Sequence, residues 1–171
     1  IFWVSNYCGQ NPIRCPSVGT FIYNNSVFVS DTLNPEIYFW PNVGDVHVYN
    51  NLIVTGQNGQ TIPTLLENDP SDLYISHNLF FDSTRIDLDI ELRNNAIYGD
   101  PLLLNTFYYG ENNDEAYQVQ SNSPAIGSGF LINGSTDSIN YLQHNGGLDY
   151  FGNSVSHNLP SNIGAYNGSG A

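Results

Sequence analysis

The chain has 171 residues, enough for one domain with a buried core. Sixteen acidic side chains oppose three basic ones, Arg14, Arg85 and Arg93, for a formal net charge of -13. That excludes a nucleic-acid surface, which needs clustered Lys and Arg, and argues against adhesion to an anionic membrane. Only 11% of residues are charged and 40% are hydrophobic, 13% being aromatic, so this is not a highly charged disordered chain. Asparagine is the outlier, with 24 copies beside 16 Gly and 9 Pro. Asn and Gly stop helices and build turns, while the abundant Tyr, Phe, Val and Ile favour strands. The composition predicts an all-β protein with many tight turns.

In chain order, Ile1 to Val4 come first as an apolar strand. Four apolar residues at a free terminus are unusual in a soluble monomer. They predict that this end is covered, either by preceding coils or by a second subunit packed head-to-tail or as a dimer. Residues 1–19 form the first unit, an N-terminal strand and a Gly/Asn/Pro loop holding the only cysteines, Cys8 and Cys15. A local disulfide is the favoured reading and two reduced thiols the alternative; two Cys are too few for a structural zinc site. No apolar run approaches the ~20 residues of a membrane helix, and no signal peptide opens the chain. The sequence reads as a mature chain, a processed chain or a fragment.

Residues 20–98 carry an internal repeat. Four gapless segments align, 20–28, 46–54, 73–81 and 90–98. Each is a short alternating strand, an Asn-containing corner and a second apolar strand. Asn25, Asn51, Asn78 and Asn95 share one column, at spacings of 26, 27 and 17. Strands alternate faces with period 2. Thr20/Ile22, Val46/Val48, Leu73/Ile75 and Ile90/Leu92 therefore make a core face. Phe21/Tyr23, His47/Tyr49, Tyr74/Ser76 and Glu91/Arg93 make a face toward solvent or ligand. Asn tolerates the left-handed conformation, and its amide can bond the Asn one rung away. Stacking one unit per coil predicts a right-handed parallel β-helix, an all-β solenoid with Asn-ladder corners.

These repeats resemble the right-handed parallel β-helix superfamily that includes pectate lyases. The tail, residues 99–171, strengthens the resemblance through Gly99 to Asn105, Tyr117 to Gln120, Ser123 to Gly127, Asp149 to Gly152 and Asn162 to Tyr166. Gly127 and Asn162 stand where that superfamily's tail usually carries Asp. The resemblance implies an extracellular, carbohydrate-active or carbohydrate-binding protein, with the C-terminal part of a polysaccharide-degrading enzyme as one form of it. It also assigns the tail as the last coil and a C-terminal cap. Lyases of the group typically use Lys or Arg as base, and this chain has no Lys. A hydrolase is thus the better expectation if the chain is catalytic at all.

Several constellations could carry chemistry. Tyr23, Tyr49, Ser76 and Arg93 would form one outward column, and Phe21, His47, Tyr74 and Glu91 its neighbour, with rungs ~4.8 Å apart. Tyr23, His47, Tyr49, Tyr74 and Arg93 are the candidate contacts for a polysaccharide or glycan, aromatic faces for sugar rings and polar groups for hydroxyls; packing under loops is the competing use. Asp87, Asp89 and Glu91 alternate on one strand and share a face. They are candidate general acid, base or nucleophile for glycoside hydrolysis. Asp82, Asp87 and Asp89 are candidate oxygen ligands for Ca²⁺. A solvated face partly paired with Arg85 and Arg93 is the plainer reading. No HExxH or HxH spacing supports zinc. Sequons occur at Asn24, Asn133 and Asn167. A second class of function is a structural fibre or surface-assembly subunit without catalysis, associating through its N-terminal end.

Overall fold

The computed structural model describes residues 2–4, 20–29, 37–39, 46–55, 73–81, 94–105, 114–132 and 147–170. Its strands, in chain order, are β1 (Phe2–Val4), β2 (Thr20–Tyr23), β3 (Ser26–Val29), β4 (Ile37–Phe39), β5 (Val46–Tyr49), β6 (Leu52–Thr55), β7 (Leu73–Ser76), β8 (Leu79–Phe81) and β9 (Ile97–Tyr98). A short 3-10 helix covers Asp114–Tyr117. Every pairing between these described strands is parallel. One sheet runs β2-β5-β7, another β3-β6-β8-β9, and β1 pairs with β4. The opening apolar strand thus has one edge taken by its own chain, with Phe2 opposite Ile37.

The expected right-handed parallel β-helix is not what the structure shows. The described strands make two small parallel sheets of three and four strands, with β1 and β4 as a separate pair, and they are not closed into a solenoid. The physical reason lies in the intervals between repeats. Parallel register and an Asn column specify one corner of a coil. Closing it needs a further wall recurring on every rung, and the intervals carry no recurring apolar alternation. Among the described residues, the β1–β4 pair gains no third strand beside β7 and β8.

The corner itself is well defined, and it refines the repeat alignment. The first two steps hold, with Thr20 opposite Val46 and Val46 opposite Leu73. At the last step Leu79 lies opposite Ile97, one residue off the gapless alignment. The left-handed residue at each corner is Asn24 (φ 55), Asn50 (φ 56), His77 (φ 53) and Asn95 (φ 51). The left-handed turn therefore falls one residue before the expected column, and Asn95 belongs to the turn. Ala96, next in the chain, occupies the ladder position, so the ladder comprises Asn25, Asn51 and Asn78 alone. A short amide side chain relieves the left-handed penalty, which explains why this position is so often Asn.

The ladder has a direction. The backbone N–H and Nδ2 of Asn25 both donate to Asn51 Oδ1, at 3.2 and 3.0 Å. Those of Asn51 donate to Asn78 Oδ1 at 2.9 and 3.0 Å. Asn51 Nδ2 also reaches Ile22 O and Tyr49 O, and Asn78 Nδ2 reaches Val48 O and Ser76 O. Asn51 and Asn78 are buried, whereas Asn25 is exposed.

The middle strands of the four-stranded sheet, β6 and β8, are buried on both faces, as is usual in parallel sheets. Ile53 and Phe80 fill one face. On the other, Leu52 and Leu79 pack with Val119, Ala125 and Ile163 of the tail, flanked by Val54, Phe81 and Ile97. Each fully buried Leu, Ile or Phe contributes about 1.5–3 kcal/mol. The tail runs along the side of the rungs: Ala165 N–H donates to Ser26 Oγ of the first, Gly164 N–H to Asn50 O of the second. Asn50 is the buried hub of this seam. Its Oδ1 accepts from Phe130 N–H, and its Nδ2 donates to Phe130 O and Ser161 Oγ. Gly129 is required there, since a Cβ would lie 2.7 Å from Ser161 O.

Candidate functional site

The aromatic column exists, but its geometry differs from the expectation. The rings of Phe21, His47 and Tyr74 stack in series, with centroids 4.7 Å apart at both steps and planes tilted by 19° and 14°. Ring faces that would meet a sugar are covered by one another. His47 is accordingly buried at 8% exposure, while Tyr74 stays 47% exposed. His47 Nδ1 lies 3.0 Å from the Tyr49 hydroxyl. In the neighbouring column, Phe130 of the tail sits against Tyr49 at 5.0 Å and against His77 at 5.4 Å. Packing under a loop is therefore the use this structure makes of Tyr49. Burial lowers the His77 pKa below its ordinary 6.5, and its Nδ1 is hydrogen-bonded to Ser76 Oγ.

Several candidates lie outside the described residues: the acid group Asp82, Asp87, Asp89 and Glu91, the basic Arg93, the pair Cys8 and Cys15, and the sequon at Asn133. Among the described residues, no three His, Cys, Asp or Glu side chains converge as metal ligands. No helix among them is long and apolar enough to cross a membrane.

A concave site does form where the first corner meets the tail. This cleft of about 300 Å³ is lined by Tyr23 and Asn24 from the corner and by Asp149, Tyr150, Asn162 and Asn167 from the tail. Gly164 and Ala165 are part of its wall. Gly164 has φ +96, and a Cβ there would lie 2.8 Å from Ser26 Oγ, so glycine lets the tail reach the corner.

Hydrogen bonds fix most of the wall. Asp149 Oδ1 accepts from the N–H groups of Phe151 and Asn153, and its Oδ2 from Asn153 Nδ2 and Asn167 N–H. With four bonds accepted, this carboxylate serves as a loop organiser. Asn162 Oδ1 accepts from Gly127 N–H at 2.8 Å, and its Nδ2 donates to Tyr166 O and Gly168 O. The two tail positions where Asp is usual in the resembling family thus meet each other here. A carboxylate at 162 could accept but not donate, and Gly127 takes a φ of 64 that suits glycine. Asn167 is engaged too, its Nδ2 donating to Ser154 O and its Oδ1 accepting from Asn162 N–H.

Among the described lining residues, one ring is open to a ligand and one polar atom is unsatisfied. Tyr150 is 72% exposed. Asn24 Oδ1 is buried and accepts no hydrogen bond. Burial raises the Tyr23 pKa above its ordinary 10.0, which keeps the phenol neutral. Of the described residues expected to contact a glycan, Tyr23 lines the cleft and His47, Tyr49 and Tyr74 do not. Sequence reasoning missed Asp149 and Tyr150, which lie more than 120 positions from Tyr23 in the chain. The only local signal was the Asp149-to-Gly152 turn pattern.

Comparison with protein-family models, with curated proteins and with solved structures finds no match to this chain. The likeness drawn from the sequence rests on its motif residues alone.

Proposed function

We propose that this chain is an extracellular glycan-binding protein, and that the cleft between the first corner and the tail is where it binds. The observation that carries the reading is Tyr150, a large ring 72% exposed at the edge of a cleft that also holds Tyr23 and three amide side chains. An exposed tyrosine offers a flat apolar face for a sugar ring and a hydroxyl for its rim. Asn162 and Asn167, fixed by other bonds, supply a rigid wall, which limits the ordering cost of binding. The role of Asp149 in the loop favours binding over catalysis, because a general acid or base needs a free lone pair or proton within reach of the substrate. Titration calorimetry against a panel of oligosaccharides tests this. Saturable binding is expected, weakened about tenfold or more in Tyr150→Ala. No binding across the panel, or unchanged affinity in the variant, overturns it.

A second reading, a non-catalytic assembly subunit, is favoured by the exposed end of the ladder. Asn25 uses its amide N–H groups on Tyr23 O and Asn51 Oδ1, and the residue is exposed. A further Asn-bearing rung could donate to it. The far end carries Ala96, so a copy added head-to-tail would pair backbones without continuing the ladder. Sedimentation across a wide concentration range decides: a monomer throughout removes this reading.

A further inference from the structure

Resting on the assembly reading, we propose that copies of this chain join head-to-tail, the far rung (residues 94–98) of one copy meeting the first rung (residues 20–29) of the next. Three observations carry this. The stack is covered in its middle and open at both ends. Val48, Ile75, Ile53 and Phe80 are buried, while Ile22 and Val27, which continue the same two rows into the first rung, are only half-buried. At the other end Ile97 is half-buried where Leu52 and Leu79 of its row are buried, and Asn94, Asn95 and Tyr98 are exposed.

Second, the two ends are complementary in their backbone groups. The N–H groups of Leu52, Leu79 and Ile97 donate to the carbonyls of Asn25, Asn51 and Asn78 in the preceding rung, at 2.8, 2.8 and 2.9 Å. In a parallel ladder a residue sends its N–H and C=O to one neighbouring strand, and the residues beside it in the chain send theirs to the other. Ser26, opposite Leu52, therefore turns its N–H away from β6, and Ala96, just before Ile97, turns its C=O away from β8. Ala96 O of one copy and Ser26 N–H of the next are the acceptor and donor that every inner step pairs. Third, Asn25 holds its amide as Asn51 does. In both, Nδ2 donates to the carbonyl two residues earlier and to Oδ1 of the following rung. In that pose Asn51 Oδ1 accepts the backbone N–H of the preceding ladder residue. The same pose gives Asn25 Oδ1 to the Ala96 N–H of the preceding copy. Two first rungs facing each other would instead bring two acceptors together, because both Nδ2 hydrogens of Asn25 are already used.

Such a contact does not close on itself, so it extends into filaments. One rung is a small face, and each copy carries a formal charge of -13, so association should be weak at low salt and strengthen as salt screens the repulsion. The experiment is sedimentation of the full chain over a wide concentration range at low and high salt, with melting curves as a folding control. Asn25→Glu puts a carboxylate on the first rung and Ala96→Glu puts one on the far rung. Each variant alone should stay monomeric where the parent assembles, and an equimolar mixture of the two should form dimers and nothing larger, since one intact face remains on each. Ala96→Asn adds a side-chain donor for Asn25 Oδ1 of the next copy and should assemble at a severalfold lower concentration than the parent. Assembly of folded Glu variants like the parent, a mixture that stays monomeric, or unchanged association of Ala96→Asn overturns this inference and leaves assembly by another surface standing. A parent that is monomeric at every concentration and salt overturns both.

Discussion

Asn51 and Asn78 are buried amides whose donors and acceptors are satisfied by neighbouring rungs, whereas Asn25 makes comparable bonds at the exposed end of the column. Removing a buried partner strands the groups that bonded it. Asn51→Ala and Asn78→Ala should each cost about 1–3 kcal/mol, and Asn25→Ala distinctly less. Urea unfolding of the three variants checks the order; equal losses would show that burial does not set the cost. His77 gives a pH dependence. Its folded pKa lies below 6.5, so the unfolded chain binds the proton more readily than the folded one. Its contribution is present above about pH 6.5 and is lost as pH falls through the lowered folded value. The melting point should decline over that window, and His77→Asn, which keeps a residue suited to the left-handed turn, should remove that part of the decline. An unchanged profile in the variant would assign it to other groups.

At the scale of the element, β2, β5 and β7 are only four residues long because each ends on a left-handed corner, where the chain changes direction and a new strand starts. Parallel pairing then follows from the repeat, since identical corners stack only in register. The slip of one residue at β9 shows what outranks pattern matching. The apolar Ile97, not Ala96, takes the place beside Leu79 that faces the Val119, Ala125 and Ile163 cluster. Burying the larger side chain there favours the slip, and the ladder loses its last amide as a consequence. Ala96→Asn should restore it by accepting from Asn78 and raise stability by about 1 kcal/mol. Denaturant unfolding measures this; a neutral or destabilising result would mean that the amide cannot reach Asn78 from the slipped register.

For the whole molecule, the tail matters as much as the rungs. It supplies half of the cluster over β6 and β8, clasps Asn50, and provides most of the cleft wall. Gly164 is the close approach that allows this. Gly164→Ala adds a Cβ against Ser26 Oγ at a φ of +96, so it should loosen the tail and weaken glycan binding together. Hydrogen exchange should rise around Ala125 and Ile163 more than at Val48; protection lost evenly across both would show that tail and sheets unfold as one unit.

Much of this could be read from the residues in order. Alternation and the Asn columns indicate parallel strand-corner-strand rungs, because face periodicity and left-handed tolerance are local properties of the chain. The ladder partners Asn25, Asn51 and Asn78 follow from their common position in each repeat, since in-register stacking turns an equal offset from the start of a repeat into one column in space. What required the tertiary structure was everything set by residues far apart: the open sheets in place of a solenoid, the covering of Tyr49 by Phe130, the exchange of Asn95 for Ala96, and the cleft. Such features depend on which distant side chain competes best for a buried place, and that energy is a property of pairs that a linear pattern does not contain.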